Sequence, residues 1–194
     1  MKSYSSQHFW VLFFLYLVFS QSSFAQDPPI KWGEIPKADL EMKSYLPDTN
    51  ASALIICDYG ESFFNDQLNI VYNRHLRVKI LTAKGYEWGT HSVRIYTKDS
   101  DQRIKVIEGV TYSLDDKGNV VNTELEKKDV FEEEDGNYTI YKFTLPALKP
   151  GCVIEIRYTI ESESLWDMKN WVFQHSEPGL RQKYVALDKI RKKV

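Results

Sequence analysis

The sequence is short of the residues that staple small proteins together. Two cysteines, Cys57 and Cys152, stand in 194 residues, which is too few for a disulfide framework. Both lie inside apolar runs, Leu54-Ile-Ile-Cys57 and Cys152-Val-Ile154, where a buried thiol behaves as a small hydrophobe. A bridge between them is the less favoured reading, because a disulfide needs a Cα spacing and side-chain direction that sequence does not supply. The nine glycines and seven prolines are scattered. They form neither a Gly-rich phosphate loop nor a Gly-x-Ser-x-Gly nucleophile elbow. Charge of one sign is also lacking: 25 basic residues face 27 acidic ones, for a formal net charge of −2. That balance argues against nucleic acid as a partner. Finally, no apolar run is long enough to cross a bilayer, which takes roughly 20 residues. The longest is Phe9 to Phe19.

That run has another reading. Lys2 is the sole formal charge before Asp27, and small and polar residues follow the run from Ser20 to Ala25. Ser23 and Ala25 meet the small-residue rule at −3 and −1 of a signal-peptidase site. Cleavage is expected between Ala25 and Gln26. No cysteine follows the run to accept a lipid. The expected mature chain, 26–194, is exported to the periplasm or the extracellular space and has no stable membrane span. Its length suffices for one well-buried core.

What is abundant is alternation. After a helix expected over Pro36 to Lys43, with Pro36 suited to a first helical position, the period becomes two. Ala53 to Tyr59 reads as a buried strand ended by Gly60. Over Leu68 to Leu81, one face carries Leu68, Ile70, Tyr72, Leu76, Val78 and Ile80, interrupted by Arg74. The other carries Asn69, Asn73, His75, Arg77 and Lys79, and such alternation puts the two sets on opposite sides of a sheet. Thr82 to Gly85 reads as a turn with Gly85 free to take positive φ. Strands follow at Val93 to Thr97 and at Ile104 to Leu114, the latter with Ile104, Val106, Val110, Tyr112 and Leu114 inward. Asp115-Asp-Lys-Gly-Asn119 is a hairpin loop leading to Val120-Val121. Tyr138 to Leu145 and Cys152 to Ile160 are further strands, with Ile154, Ile156, Tyr158 and Ile160 inward and Glu155, Arg157 and Thr159 outward. Val172-Phe173 reads as a last short strand. Many strands between Gly, Pro and Asp turns indicate an all-β class, a β-sandwich of antiparallel sheets with one short N-terminal helix.

Candidate chemistry is sparse. Cys-His catalysis needs a thiolate activated by a nearby His, and both cysteines read as strand residues. His75, His91 and His175 are too widely spaced for a zinc set, and His75 shares a polar face with Arg77 and Lys79, which reads as solvated. Glu132-Glu-Glu-Asp135 and Asp115-Asp116 offer oxygens for calcium but read as solvated hairpin tips. Asn50-Ala-Ser and Asn137-Tyr-Thr match the glycosylation sequon. No catalytic, cofactor-binding or metal residue is expected, and no cofactor. Trp166 and Trp171 form an aromatic pair that reads as core or, as the one candidate interaction surface, as cover for a partner.

Several stretches together carry a resemblance. They are Ile30-Lys-Trp-Gly-Glu-Ile-Pro-Lys-Ala-Asp-Leu-Glu-Met42, Leu54-Ile-Ile-Cys-Asp-Tyr-Gly-Glu61, Arg77-Val-Lys-Ile-Leu-Thr-Ala-Lys-Gly85, Tyr141 to Tyr158, and Trp171-Val-Phe-Gln174. In this order the sequence resembles the domain of unknown function 3857 (DUF3857), the all-β domain that precedes transglutaminase-like domains in exported bacterial proteins, especially of Bacteroidetes. The resemblance implies a sandwich lying N-terminal to a papain-like Cys-His-Asp domain, and assigns no catalytic residue to the β domain. From Gly179 the chain departs from the pattern into a basic tail and stops before a catalytic domain, as a truncated product would. The expected organisation is a signal peptide (1–25), a β-sandwich domain (26–178) and a divergent tail (179–194). The expected function is a non-catalytic module for protein interaction or scaffolding beside a transglutaminase-like domain. The alternatives are a carbohydrate- or cell-envelope-binding module, served by exposed Trp88, Trp166 and Trp171, or a fragment of a larger enzyme.

Overall fold

In the computed structural model, residues 28–98, 102–164, 176, 178–180 and 182–190 are described. After the arm that contains helix α1 (Lys37–Glu41) come β1 (Ala53–Phe64), β2 (Ile70–Ile80), β3 (Thr90–Tyr96), β4 (Gln102–Leu114), β5 (Val120–Glu124), β6 (Val130–Asp135), β7 (Tyr138–Thr144), β8 (Val153–Ser162) and β9 (Gln182–Ile190). They form a six-stranded sheet in the order β5-β4-β8-β2-β1-β9 and a three-stranded sheet in the order β3-β7-β6. Neighbours are antiparallel throughout, except that β9 runs parallel to β1. The fold is an all-β sandwich.

The core between the sheets follows from the period of two. Tyr72, Leu76, Val78 and Ile80 of β2 share a face with Ile154, Ile156 and Ile160 of β8, and meet Val93, Ile95 and Phe143 from the small sheet. Each isoleucine or valine buried there contributes about 1.5–3 kcal/mol. Arg74, the one charge on the inner face of β2, is matched from β1. Its Nε and Nη2 donate to the two oxygens of Asp58 at 3.0 and 2.9 Å. Gly109 lets the layers close. A Cβ there would lie 2.2 Å from Leu145 Cδ2.

Several elements differ from the sequence reading. Gly60 does not end β1, which continues to Phe64 and pairs with β2 along its whole length. The segment after Thr82 is a 3-10 helix, Ala83–Gly89, and Gly85 does not use positive φ. It is held to glycine by space, since a Cβ would sit 2.5 Å from the Ser52 carbonyl oxygen. Glu132 to Asp135 are not a hairpin tip but part of β6, and the tip falls at Gly136, with φ +63°. The stretch from Gly179 joins the large sheet. Gly179 bridges to Ile55, and β9 then adds to the sheet beside β1, because the outer edge of β1 offers backbone partners that a loose end would leave unmet. The Asp115 hairpin is as expected: the Asp115 side chain accepts from the backbone N–H groups of Lys117 and Asn119 at 2.9 and 2.8 Å. Val172-Phe173 lies outside the described residues.

Candidate functional site

The outer face of the six-stranded sheet holds a second, polar assembly. Registers across β1, β2, β8 and β4 bring Tyr59 beside His75, His75 beside Arg157, Arg77 beside Glu155, Asn73 beside Thr159, and Arg157 beside Glu108. The alternation was legible, but the expected solvation is overturned. His75 is 9% exposed, Arg77 1%, Lys79 0% and Glu155 0%. The cause is the arm before β1, which lies over this face. Its Trp32, Ile35 and Leu40 pack with Ile56, Val110, Tyr112, Val153 and Leu114. The inward set expected for β4 is therefore split. A register shift between Ile104 and Val106 leaves Ile104 on the inner core and turns Val110, Tyr112 and Leu114 to the arm, because one extra residue in a strand reverses every following side chain.

Glu155 is the centre of the assembly. Its Oε1 accepts from His75 Nε2 at 2.7 Å and from Arg77 Nε at 3.1 Å and Nη2, and its Oε2 accepts from the Gly33 backbone N–H at 2.9 Å. Arg77 Nη2 donates to the Lys31 carbonyl as well, at 2.8 Å. Burial pushes the Glu155 carboxyl up. The hydrogen bonds from His75, Gly33 and Arg77, with the Arg77 charge, outweigh it and hold the group below the usual carboxylate range. Tyr112 lies beside it, its hydroxyl pushed up to about 12 by burial and by the Glu155 charge. One carboxylate thus fastens two strands and the arm.

Lys79 fastens the other end of the arm. Its Nζ donates to the Leu40 carbonyl at 2.8 Å and to the Gly151 carbonyl at 2.6 Å. Burial draws the ammonium down to about 8, opposed by Cys152 and Asp39.

Beyond Trp32 the face opens into a groove of about 790 Å³, lined by Trp32, Tyr59, Glu61, Asn73, His75, Glu108, Arg157 and Thr159 among others. Its floor is a hydrogen-bonded chain. Thr159 Oγ1 donates to Asn73 Oδ1 (2.7 Å), Asn73 Nδ2 to Glu61 Oε1 (3.0 Å), and the Tyr59 hydroxyl to Glu61 Oε2 (2.9 Å). At the rim the Arg157 guanidinium lies 4.5 Å above the Trp32 ring, and its Nε donates to Glu108 at 2.6 Å. With Glu155 ionised, the His75 proton belongs on Nε2. The second ring nitrogen, Nδ1, has no hydrogen-bond partner among the described residues and can pair with a polar group entering the groove. A carboxylate-oriented imidazole can also serve as a base. Here Arg77 shares the same carboxylate oxygen and draws on its charge, and the neighbouring hydroxyls of Thr159 and Tyr59 already donate within the floor.

The remaining sequence candidates lie elsewhere. Cys57 and Cys152 are separate buried thiols, with no disulfide, and burial pushes the Cys152 thiol up. His91 sits by the inner core, donating to the Trp88 carbonyl at 2.7 Å, and burial lowers its pKa to about 4. Trp88 packs against the inner core rather than standing exposed. Among the described residues no three His, Cys, Asp or Glu side chains gather in a group able to hold a metal ion. Trp166 and Trp171, His175, and the cleavage pair Ala25 and Gln26 lie outside the described residues.

Comparison with known families decides the affiliation. The family described as "Domain of Unknown Function with solved-structure structure (DUF3857)" matches residues 67–191. The chain belongs to the DUF3857 family. The DUF3857 match spans β2 to β9 and so takes in His75, Arg77, Lys79, Glu108, Glu155 and Arg157. It runs on into the stretch from Gly179 that the sequence reading set apart as a divergent tail. Trp32, Tyr59 and Glu61 precede it. No curated protein matches the chain. Among solved structures, a similar one is the crystal structure of a "putative protease" from Parabacteroides distasonis ATCC 8503. It has a TM-score of 0.48 and 13% identity, over 58% of this chain and 23% of that protein. The chain therefore spans about a quarter of that protein's length.

Proposed function

We propose that this DUF3857 domain is an exported, non-catalytic interaction module whose outer groove receives another protein domain. A transglutaminase-like domain is the partner that the family resemblance supplies. The observation that carries the reading is the groove: a satisfied polar floor, the unpartnered His75 Nδ1, and a rim of Trp32, Arg157 and Glu108. Buried polar groups that satisfy one another position a surface rigidly, while rim aromatics and arginine are the residue types on which interface energy concentrates. Two features favour docking over turnover. The thiols at Cys57 and Cys152 are buried, where a reactive cysteine needs the thiolate and access, and the Glu155–His75 pair is shared with Arg77. A carbohydrate ligand is the second reading, prompted by Trp32 beside Asn73 and Glu61. The guanidinium lying over the Trp32 ring occupies a surface that a sugar would stack on, which favours the protein partner.

Calorimetric titration of the purified chain with a transglutaminase-like domain, taken from a protein that carries both domains, tests the proposal. Binding is expected, weakened about tenfold or more in Trp32→Ala and Arg157→Ala variants. No heat of binding, or undiminished affinity in both variants, would sink it. A Trp fluorescence change on adding envelope glycans would favour the carbohydrate reading instead.

A further inference from the structure

The two strands on either side of the Leu125–Asp129 connection are both edge strands, β5 of the large sheet and β6 of the small one, and among the described residues nothing pairs with their outer edges. An open edge is a template for another strand unless something guards it. β6 is guarded. Glu132, Glu133, Glu134 and Asp135 occupy successive positions, all exposed, and a second β6 would set acid against acid. β5 is not. Its five residues, Val-Val-Asn-Thr-Glu, are all exposed, with Val120 48% and Val121 44% exposed, and Glu124 is its single charge.

The backbone of β5 shows what it offers. Asp115 N–H donates to the Asn119 carbonyl, and Leu125 N–H to the Gly109 carbonyl, at 2.9 and 2.8 Å. Both fall on the β4–β5 register. Hydrogen-bonded pairs alternate along an antiparallel ladder, so Val121 and Thr123 turn their N–H and C=O groups to β4. Val120, Asn122 and Glu124 turn theirs to the open side.

We propose that β5 pairs with β5 of a second copy, antiparallel about a two-fold axis at Asn122, joining two six-stranded sheets into one. In that register the outward groups of Asn122 meet their own symmetry mates and those of Val120 meet Glu124, closing about six backbone hydrogen bonds. Side chains are compatible as well. Val121 faces Thr123, a β-branched pair that favours strand pairing, and Glu124 faces Val120, so no like charges are opposed. The strand is self-complementary, as a two-fold interface requires, whereas β6 repels its own image.

Sedimentation of the full chain over a range of concentrations reads the outcome directly. A monomer–dimer equilibrium is expected. Val120→Glu sets carboxylates across from Glu124 and raises the dimer dissociation constant about tenfold. Combining it with Glu124→Lys restores pairing, because the opposed charges then differ in sign. Asn122→Pro removes an outward N–H that β4 does not use, is tolerated on an edge strand, and weakens the dimer while thermal unfolding shows the fold retained. A chain monomeric throughout, a dimer indifferent to Val120→Glu, or a loss that Glu124→Lys does not reverse would each overturn the proposal.

Discussion

Ile154 and Glu155 are chain neighbours on β8, both fully buried, and they meet opposite halves of the molecule. Ile154 joins the apolar core between the sheets. Glu155 faces the arm and binds His75, Arg77 and Gly33. The apolar face tolerates approximate partners, since burial of carbon surface is non-directional. The polar face does not, since each buried charge needs donors or acceptors in place. One sheet thus carries a forgiving face and an exacting one. The exacting face positions the arm and the groove.

The largest expected effect breaks the exacting face at its centre. Glu155→Ala leaves the Arg77 charge and two further donors without their acceptor. It is expected to cost about 3–5 kcal/mol in chemical denaturation, with His75 and the arm losing protection from hydrogen exchange. A cost under about 1 kcal/mol would mean that the arm is held by the packing of Trp32, Ile35 and Leu40 and by the Lys79 and Arg77 bonds to its backbone rather than by Glu155. On the forgiving face, Gly109→Ala forces Leu145 aside and is expected to cost about 1–3 kcal/mol by overpacking, with the groove's Trp32 fluorescence unchanged.

The pH dependence separates the faces further. Lys79 has its pKa lowered to about 8 from 10.5, so above pH 8 the unfolded chain binds the proton that the folded chain has released. Stability then rises with pH across that window, by at most about 1.4 kcal/mol per unit. Lys79→Met should flatten the rise, and an unchanged slope in its urea-denaturation profile would assign the effect to another group. The smallest effect is at the rim. Arg157 and Glu108 are 42% and 45% exposed, so Arg157→Ala should change stability by less than about 1 kcal/mol while weakening partner binding. A larger loss of stability would place Arg157 in the fold's support rather than at the docking surface.

Much of this was legible in the chain. The period of two marked both faces of β2 from Ile70 to Ile80, although Leu68, read with the apolar face, lies in the turn before the strand, exposed and at φ +63°; the Asp115 hairpin followed from turn chemistry. The polarity of His75, Arg77 and Lys79 was also evident, but not their burial, because alternation assigns a side and says nothing of what covers it. The clue lay in two places far apart: Glu155 amid apolar neighbours on β8, and the Trp32–Leu40 stretch that supplies the cover. β6 escaped notice because four acids resemble a solvated tip, although an exposed edge strand accepts them. β9 escaped because a basic, weakly alternating segment shows strand character only once β1 presents an edge to it.

The amino-acid sequence by itself determined the sandwich, since alternating apolar residues between turns have few other ways to bury a common face. It determined too that the second face of the sheet is charged. Only the tertiary structure decided that this face is buried and its charges matched, because register brings Arg77 beside Glu155 from 78 positions away, and the arm excludes water from both. Sequence carries the period of a strand, but pairing between distant strands is set by which contacts the whole fold can satisfy at once.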